Sequence, residues 1–214
     1  MHRLGLLPLV KRFQFHAGHE YRHREFSPKL FNCCTLRWFR ALASVQEFGI
    51  DFLNVPSFMP RIGRYFGHFL PTVRSVALSE PKGSCRQIVY FIGMFKHLEN
   101  LKLLCDTTNP LEEELADDRT LVPPFVPPLR GRLTMMCFKR VGILKEMIGL
   151  FGGVRFRWMN LYYVDGVRLL LGATAKTLET LWLPPTDLHG KELVLNGVQT
   201  LTDDSSHSWI PSGI

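Results

Sequence analysis

The chain has 214 residues, 46% of them hydrophobic and 21% charged, which excludes general disorder and suits a folded protein with a sizeable core. Its apolar runs at residues 6–10 and 88–95 are too short for a signal-peptide core or a membrane span, so neither targeting nor membrane segments are expected. The net charge of +7 is uneven: residues 1–74 hold eleven Lys and Arg against four Asp and Glu, whereas residues 75–214 balance fifteen against fifteen.

In chain order, one spacing keeps returning: an apolar residue at positions 1, 4 and 6 of a short strand, then a helical stretch. VKRFQF (10–15) is the first copy. Residues 16–35 are polar and irregular, and Leu36, Phe39 and Leu42 resume the apolar pattern ahead of VQEFGI (45–50). The following Pro-Ser-Phe-Met-Pro opens a predicted helix through Ile62, Tyr65, Phe66 and Phe69, which Pro71 closes. VRSVAL (73–78) is the third strand, followed by a helix-like stretch at 86–96, and LENLKL (98–103) is the fourth.

Residues 106–128 read as an exposed loop, acidic and then proline-rich, with five carboxylates between Glu112 and Asp118. Pro124-x-x-Pro127 lacks a basic residue at the distance polyproline ligands use, so a spacer is the better reading. The fifth strand, RGRLTM (130–135), is degenerate: Leu133 and Met135 hold positions 4 and 6, but position 1 is Arg130. A predicted helix over 143–151 leads through Gly152-Gly153 into FRWMNL (156–161). Val167, Leu170, Leu171 and Ala175 then recur at helical intervals before LETLWL (178–183). Residues 191–214 are expected to be a divergent, partly disordered tail, with Leu193, Leu195, Val198 and Leu201 suiting one more helix or a partial unit.

The position-4 residues Phe13, Phe48, Val76, Leu101, Leu133, Met159 and Leu181 are separated by 35, 28, 25, 32, 26 and 22 residues, the range of a long, irregular leucine-rich repeat. The physical logic is burial. Residues 4 and 6 of a strand point the same way and meet the apolar face of the unit's own helix, and one unit cannot close that core alone. The expected fold is therefore α/β: a leucine-rich-repeat-like solenoid, or horseshoe, over residues 1–190, with a parallel sheet on the concave face and helices on the convex face. A closed parallel α/β domain is the competing architecture, because strand–helix alternation alone allows it.

Positions 3, 5 and 7 make the concave surface, where such scaffolds bind. At its C-terminal end Trp158, Tyr162 and Trp182 come from neighbouring strands with Met136 and Asn160 beside them, which makes these five residues the candidate protein-binding surface. Two other chemistries compete with it. His19-Glu20-Tyr21-Arg22-His23 matches the zinc-hydrolase pattern H-E-x-x-H, but Gly18 before it and Ser27-Pro28 after it leave little helix to present both imidazoles. The basic N-terminal third could meet nucleic acid, although excess charge speaks first to solubility. Motifs for a serine nucleophile or a phosphate-binding loop are absent, so neither catalytic residues nor cofactor or metal ligands are assigned. Cys33, Cys34, Cys85, Cys105 and Cys137 have neither redox nor zinc spacing, which predicts reduced, mostly buried thiols and an intracellular protein.

The phrases VQEFGID…LENLKLL (45–104), PPFVPPLRGRLTM (123–135) and FGGVRFRWMNLYY…LETLWLPPTD (151–187) resemble a group of F-box and leucine-rich-repeat-like proteins of mushroom-forming fungi. The resemblance covers some two-thirds of the chain and implies a substrate-receptor role, with an F-box docked on a Skp1-type adaptor of a ubiquitin ligase. This chain departs from the pattern. VKRFQF follows Leu7-Pro8 at once and leaves no room for an F-box bundle, so a truncated copy without a Skp1-type adaptor is expected. The expectation is a non-enzymatic protein-interaction scaffold that binds a protein and neither a membrane nor, primarily, nucleic acid.

Overall fold

The structure is a computed structural model and describes residues 9–15, 41–61, 66–67, 70–105, 129–137, 141–150, 153–162, 166–183 and 199–201. It is an α/β arrangement. Its strands are β1 (Arg12–Phe15), β2 (Glu47–Asp51), β3 (Ser75–Ser79), β4 (Asn100–Cys105), β5 (Arg130–Cys137), β6 (Arg155–Tyr162), β7 (Thr180–Trp182) and β8 (Gln199–Leu201). The helices are α1 (Val55–Phe58), α2 (Cys85–Gly93), α3 (Val141–Leu150) and α4 (Val167–Thr174), and a short 3-10 turn, Met59–Arg61, follows α1.

The eight strands form one parallel sheet in the order in which the chain makes them, with β1 and β8 at opposite edges. A doubly wound sheet would reverse its order at a switch point, and none occurs among the described strands. The register aligns the template residues themselves: Phe13, Phe48, Val76, Leu101, Leu133, Met159 and Leu181 are Cα partners from strand to strand. Positions 4 and 6 are buried from β2 to β6, as are the position-1 residues Val45, Val73, Leu98, Phe156 and Leu178. Removing each such side chain from water contributes about 1.5–3 kcal/mol, and these residues share one core with the apolar faces of the helices. Each helix packs on the next, α1 on α2, α2 on α3 and α3 on α4. Phe48 is the hub of the first half of that core, with Phe13 stacked on it and Phe66, Phe91 and Phe95 around it at centroid distances of 5.5–6.4 Å.

Most strands begin two residues later than the template. The carbonyl at position 2 of one unit accepts both the position-2 and position-3 N–H groups of the next. Lys11 O takes Gln46 and Glu47 at 2.7 and 3.0 Å, Gln46 O takes Arg74 and Ser75 at 2.8 and 3.0 Å, and Arg74 O takes Glu99 and Asn100 at 2.8 and 2.9 Å. In these units the regular ladder starts only after this shared acceptor, so Val45, Val73 and Leu98 at position 1 pack without pairing.

A second recurring contact is made by the residue just before position 1. The Thr72 hydroxyl donates to the Val45 carbonyl at 2.8 Å, and the Thr177 hydroxyl donates to the Phe156 carbonyl at 3.1 Å. In both cases the acceptor is position 1 of the preceding unit. Beyond β2 and β3 the chain repeats a third feature: Phe52 and Glu80, both at position 8, adopt positive φ of 53° and 50° and donate to the carbonyls of Ser79 and Leu104.

The fifth unit is not degenerate in space. Leu129, 4% exposed, takes the core place that the template assigned to Arg130, which is exposed. The extra residue between Leu129 and Leu133 is absorbed at Gly131, which has φ of +91° beside a shift of register against β6. Only glycine fits there, since a Cβ would stand 2.1 Å from the Glu99 carbonyl oxygen. At the other end, the strands continue past residue 190. Gln199–Leu201, within the stretch read as a tail, pairs in parallel with β7 and sets Thr200 opposite Leu181.

The helix foreseen after residue 55 begins at Val55, one residue before Pro56, and the Asn54 side chain caps it by accepting the Ser57 N–H at 3.0 Å. Its continuation through Ile62 and Tyr65 lies outside the described residues, while Phe66 and Leu70 are buried. Ser84 and Gln87 form a capping box that starts α2, each side chain accepting from the other's backbone N–H. Cys85 and Cys105 carry thiols, and Cys105 is buried. Among the described residues no helix is long and apolar enough to cross a membrane.

Candidate protein-binding surface

One face of the sheet meets the helices. The other carries positions 3, 5 and 7 and, among the described residues, is covered by no helix. Alternation along each strand and the in-register pairing sort it into three rows. Over β4 to β7 the first row is Asn100, Arg132, Trp158 and Thr180; the second is Lys102, Thr134, Asn160 and Trp182; the third is Leu104, Met136 and Tyr162. Over β2 and β3 the same face is shallow. Ser75, Ala77 and Ser79 stand there, and the Gln14 side chain lies across Gly49, 3.2 Å from where a Cβ would be.

All five residues expected at the binding surface fall on this face within one neighbourhood. Trp158 is 45% exposed, and among the described residues it shares the status of exposed large hydrophobic only with Leu9 and Leu169. Asn160, Tyr162, Trp182 and Met136 are half-buried. Tyr162 and Trp182 pack ring on ring, centroids 4.6 Å apart at 49°. Met136 is the cross-strand partner of Tyr162, and Asn160 is the partner of Trp182. The zinc-hydrolase pattern His19-Glu20-x-x-His23 lies outside the described residues.

The residue missing from that set is Arg132. Its guanidinium sits over the Trp158 ring, 4.6 Å from the centroid, because register makes the two direct cross-strand partners. A cation–π contact of this kind contributes about 0.5–1 kcal/mol at an exposed site and holds the guanidinium plane in place. The signal was available in sequence: Arg132 and Trp158 occupy position 3 of consecutive units.

Electrostatics divide the face. Arg12 and Glu47 pair across β1 and β2, and the hydrogen bond to Glu47, then its charge, raises the Arg12 pKa. Arg74 pairs with Glu99 ahead of β3 and β4, and Arg157 with Glu179 at 3.6 Å. All three pairs are exposed and screened by solvent, so they add little to stability. By contrast, Lys102, Arg130, Arg132 and Arg155 are exposed cations that form no ion pair among the described residues. Arg130 and Arg155 are direct partners in the register, like charge facing like charge.

Of the eleven cations that sequence placed in residues 1–74, the described side chains are Lys11, Arg12 and Arg74, and Arg12 and Arg74 both have carboxylates. Among the described residues, the positive charge without a carboxylate partner gathers on β4 to β6. Among the described residues no group of His, Cys, Asp and Glu converges on a metal-binding arrangement. Comparison of the chain with protein-family models, with curated proteins and with solved structures finds no match.

Proposed function

We propose that the chain is a leucine-rich-repeat-like solenoid and a non-enzymatic scaffold that binds a protein on the open, concave face of its sheet. In this reading it is related to the fungal F-box substrate receptors it resembles. The architecture is supported by sequential parallel strands, by the shared carbonyl at position 2 that returns at Lys11, Gln46 and Arg74, and by the threonine contact made at both Thr72 and Thr177. The observation that carries the function is the cluster of Trp158, Tyr162, Trp182 and Met136 on an open sheet face. Aromatic rings held by rigid strands offer large contact area at little entropic cost, which is how interface anchors work.

The test is affinity capture with purified full-length chain and three variants. Trp158→Asp and Trp182→Ala change the open face, and Leu169→Asp changes an exposed residue of α4 on the helical side. A protein partner that is retained by wild type and Leu169→Asp and lost with both open-face variants supports the assignment. Retention by the open-face variants with loss at Leu169→Asp moves binding to the helices and refutes it.

A further inference from the structure

Resting on that reading, we infer that the partner presents an acidic, extended peptide segment with an apolar anchor, bound across β4 to β7. Charge is the first argument. Lys102 and Arg132 stand in adjacent rows of the open face, and Arg130 and Arg155 face each other where β5 and β6 begin. The carboxylates leading into β4 and β7, Glu99 and Glu179, are already engaged by Arg74 and Arg157. No carboxylate stands on the described residues of β4 to β7 themselves. Two arginines opposed across a parallel pair repel each other, and a carboxylate between them relieves that repulsion.

The second argument is the apolar row. Leu104, Met136 and Tyr162 are aligned by register, with Trp182 packed on Tyr162. From β4 to β7 is three inter-strand steps of about 4.8 Å, the reach of about five extended residues. A segment of that length can set carboxylates toward Lys102 and Arg132 and an aliphatic or aromatic side chain toward Met136 and Tyr162. Arg132 is preorganised for a two-pronged carboxylate contact by its seat on Trp158.

The same features disfavour a nucleic acid. Among the described residues of β4 to β7 these four cations are few for a polyphosphate track, and stacked bases need open ring faces. Here Trp158 carries Arg132 on one face, and Tyr162 and Trp182 are packed on each other.

The experiment is fluorescence anisotropy on the full chain with three labelled probes of equal length. One is a peptide of Asp and Glu around a central Leu-Phe, one is the same peptide with Lys for every acid, and one is single-stranded DNA. The acidic peptide is expected to bind, to weaken with salt, and to lose about tenfold or more in affinity with Arg132→Glu plus Lys102→Glu. Leu169→Glu should leave it unchanged, and circular dichroism should show each variant folded.

Equal binding of acidic and basic peptides, or preference for DNA, overturns the inference. So does an acidic peptide that binds only after Glu112, Glu113, Glu114, Asp117 and Asp118 are replaced by amides, since the occupant is then this chain's own acidic stretch. If the acidic peptide fails while open-face variants still lose a captured protein, the charge argument falls alone and protein binding on this face stands.

Discussion

Gly131 offers the sharpest physical test of the repeat, because one residue absorbs the mismatch that keeps the fifth unit in line with the fourth. In Gly131→Ala the new methyl group would stand 2.1 Å from the Glu99 oxygen and 3.0 Å from its carbonyl carbon. That oxygen is backbone, and it also accepts the Arg132 N–H at 2.8 Å, so it cannot move aside without loosening the start of the β4–β5 ladder. The positive φ of +91° adds strain of about 1–3 kcal/mol for a residue with a Cβ, and forced displacement of packed backbone costs about 1–3 kcal/mol more. The sum is a loss of about 2–6 kcal/mol. Gly153→Ala supplies the comparison: φ is +114° but nothing lies within 4 Å, so strain of about 1–3 kcal/mol acts without the clash. Gly149 and Gly172 lie in α3 and α4 with nothing within 4 Å, and alanine there should stabilise by about 0.5–1 kcal/mol. Urea unfolding resolves the series: with a slope of about 2 kcal/mol/M, Gly131→Ala should move the midpoint down by about 1–3 M. A midpoint for Gly131→Ala equal to or above that of Gly153→Ala would refute the close approach of Gly131 to Glu99.

Three other perturbations follow from the packing. Phe48→Ala removes the ring that Phe13, Phe66, Phe91 and Phe95 surround, and should cost about 3–5 kcal/mol in the same urea assay; a loss below about 1 kcal/mol would deny Phe48 its central place. Thr72→Val and Thr177→Val keep side-chain shape while removing the hydroxyl donated to the preceding unit, so each should destabilise by about 1 kcal/mol and the two should add, being far apart in the array. Ser84→Ala breaks the capping box of α2 and should cost about 0.5–2 kcal/mol, with Gln87→Ala close behind it and the double variant less than the sum of both.

Much of the parallel sheet could be read from seven position-4 residues because burial leaves its mark on each unit independently. Phe13, Val76 or Leu181 is apolar whatever its neighbours do, since each faces the helices. What escaped the reading is whatever depends on two units at once. The fixed template looked for the core residue at Arg130 and found it displaced to Leu129, since the inserted position is taken up by a glycine whose meaning is visible only against Glu99. β8 was hidden because the register places Thr200 where an apolar residue was sought. The threonines at 72 and 177 are unremarkable in sequence, and they acquire a role only from the carbonyl of the unit before. Ser84-x-x-Gln87 was a readable capping signal that an apolar template ignores.

The proposed binding surface divides along the same line. Its aromatic members could be named from sequence because alternation and register put Trp158, Tyr162 and Trp182 on one face. Its charge could not be found by counting. Residues 75–214 are neutral in sum, yet six of their fifteen acids, Asp106, Glu112, Glu113, Glu114, Asp117 and Asp118, belong to the stretch between β4 and β5 rather than to the strands. The strands that this stretch joins carry Lys102, Arg130 and Arg132 without carboxylates of their own, and β6 adds Arg155 beside them. Neutrality along the chain therefore coexists with a cationic sheet face. A partner senses the charge within about a Debye length of about 8–10 Å, not the total over a hundred residues. That is why the acidic-peptide reading rests on β4 to β7 and would survive any revision of the overall net charge, but not the loss of Arg132 or Lys102.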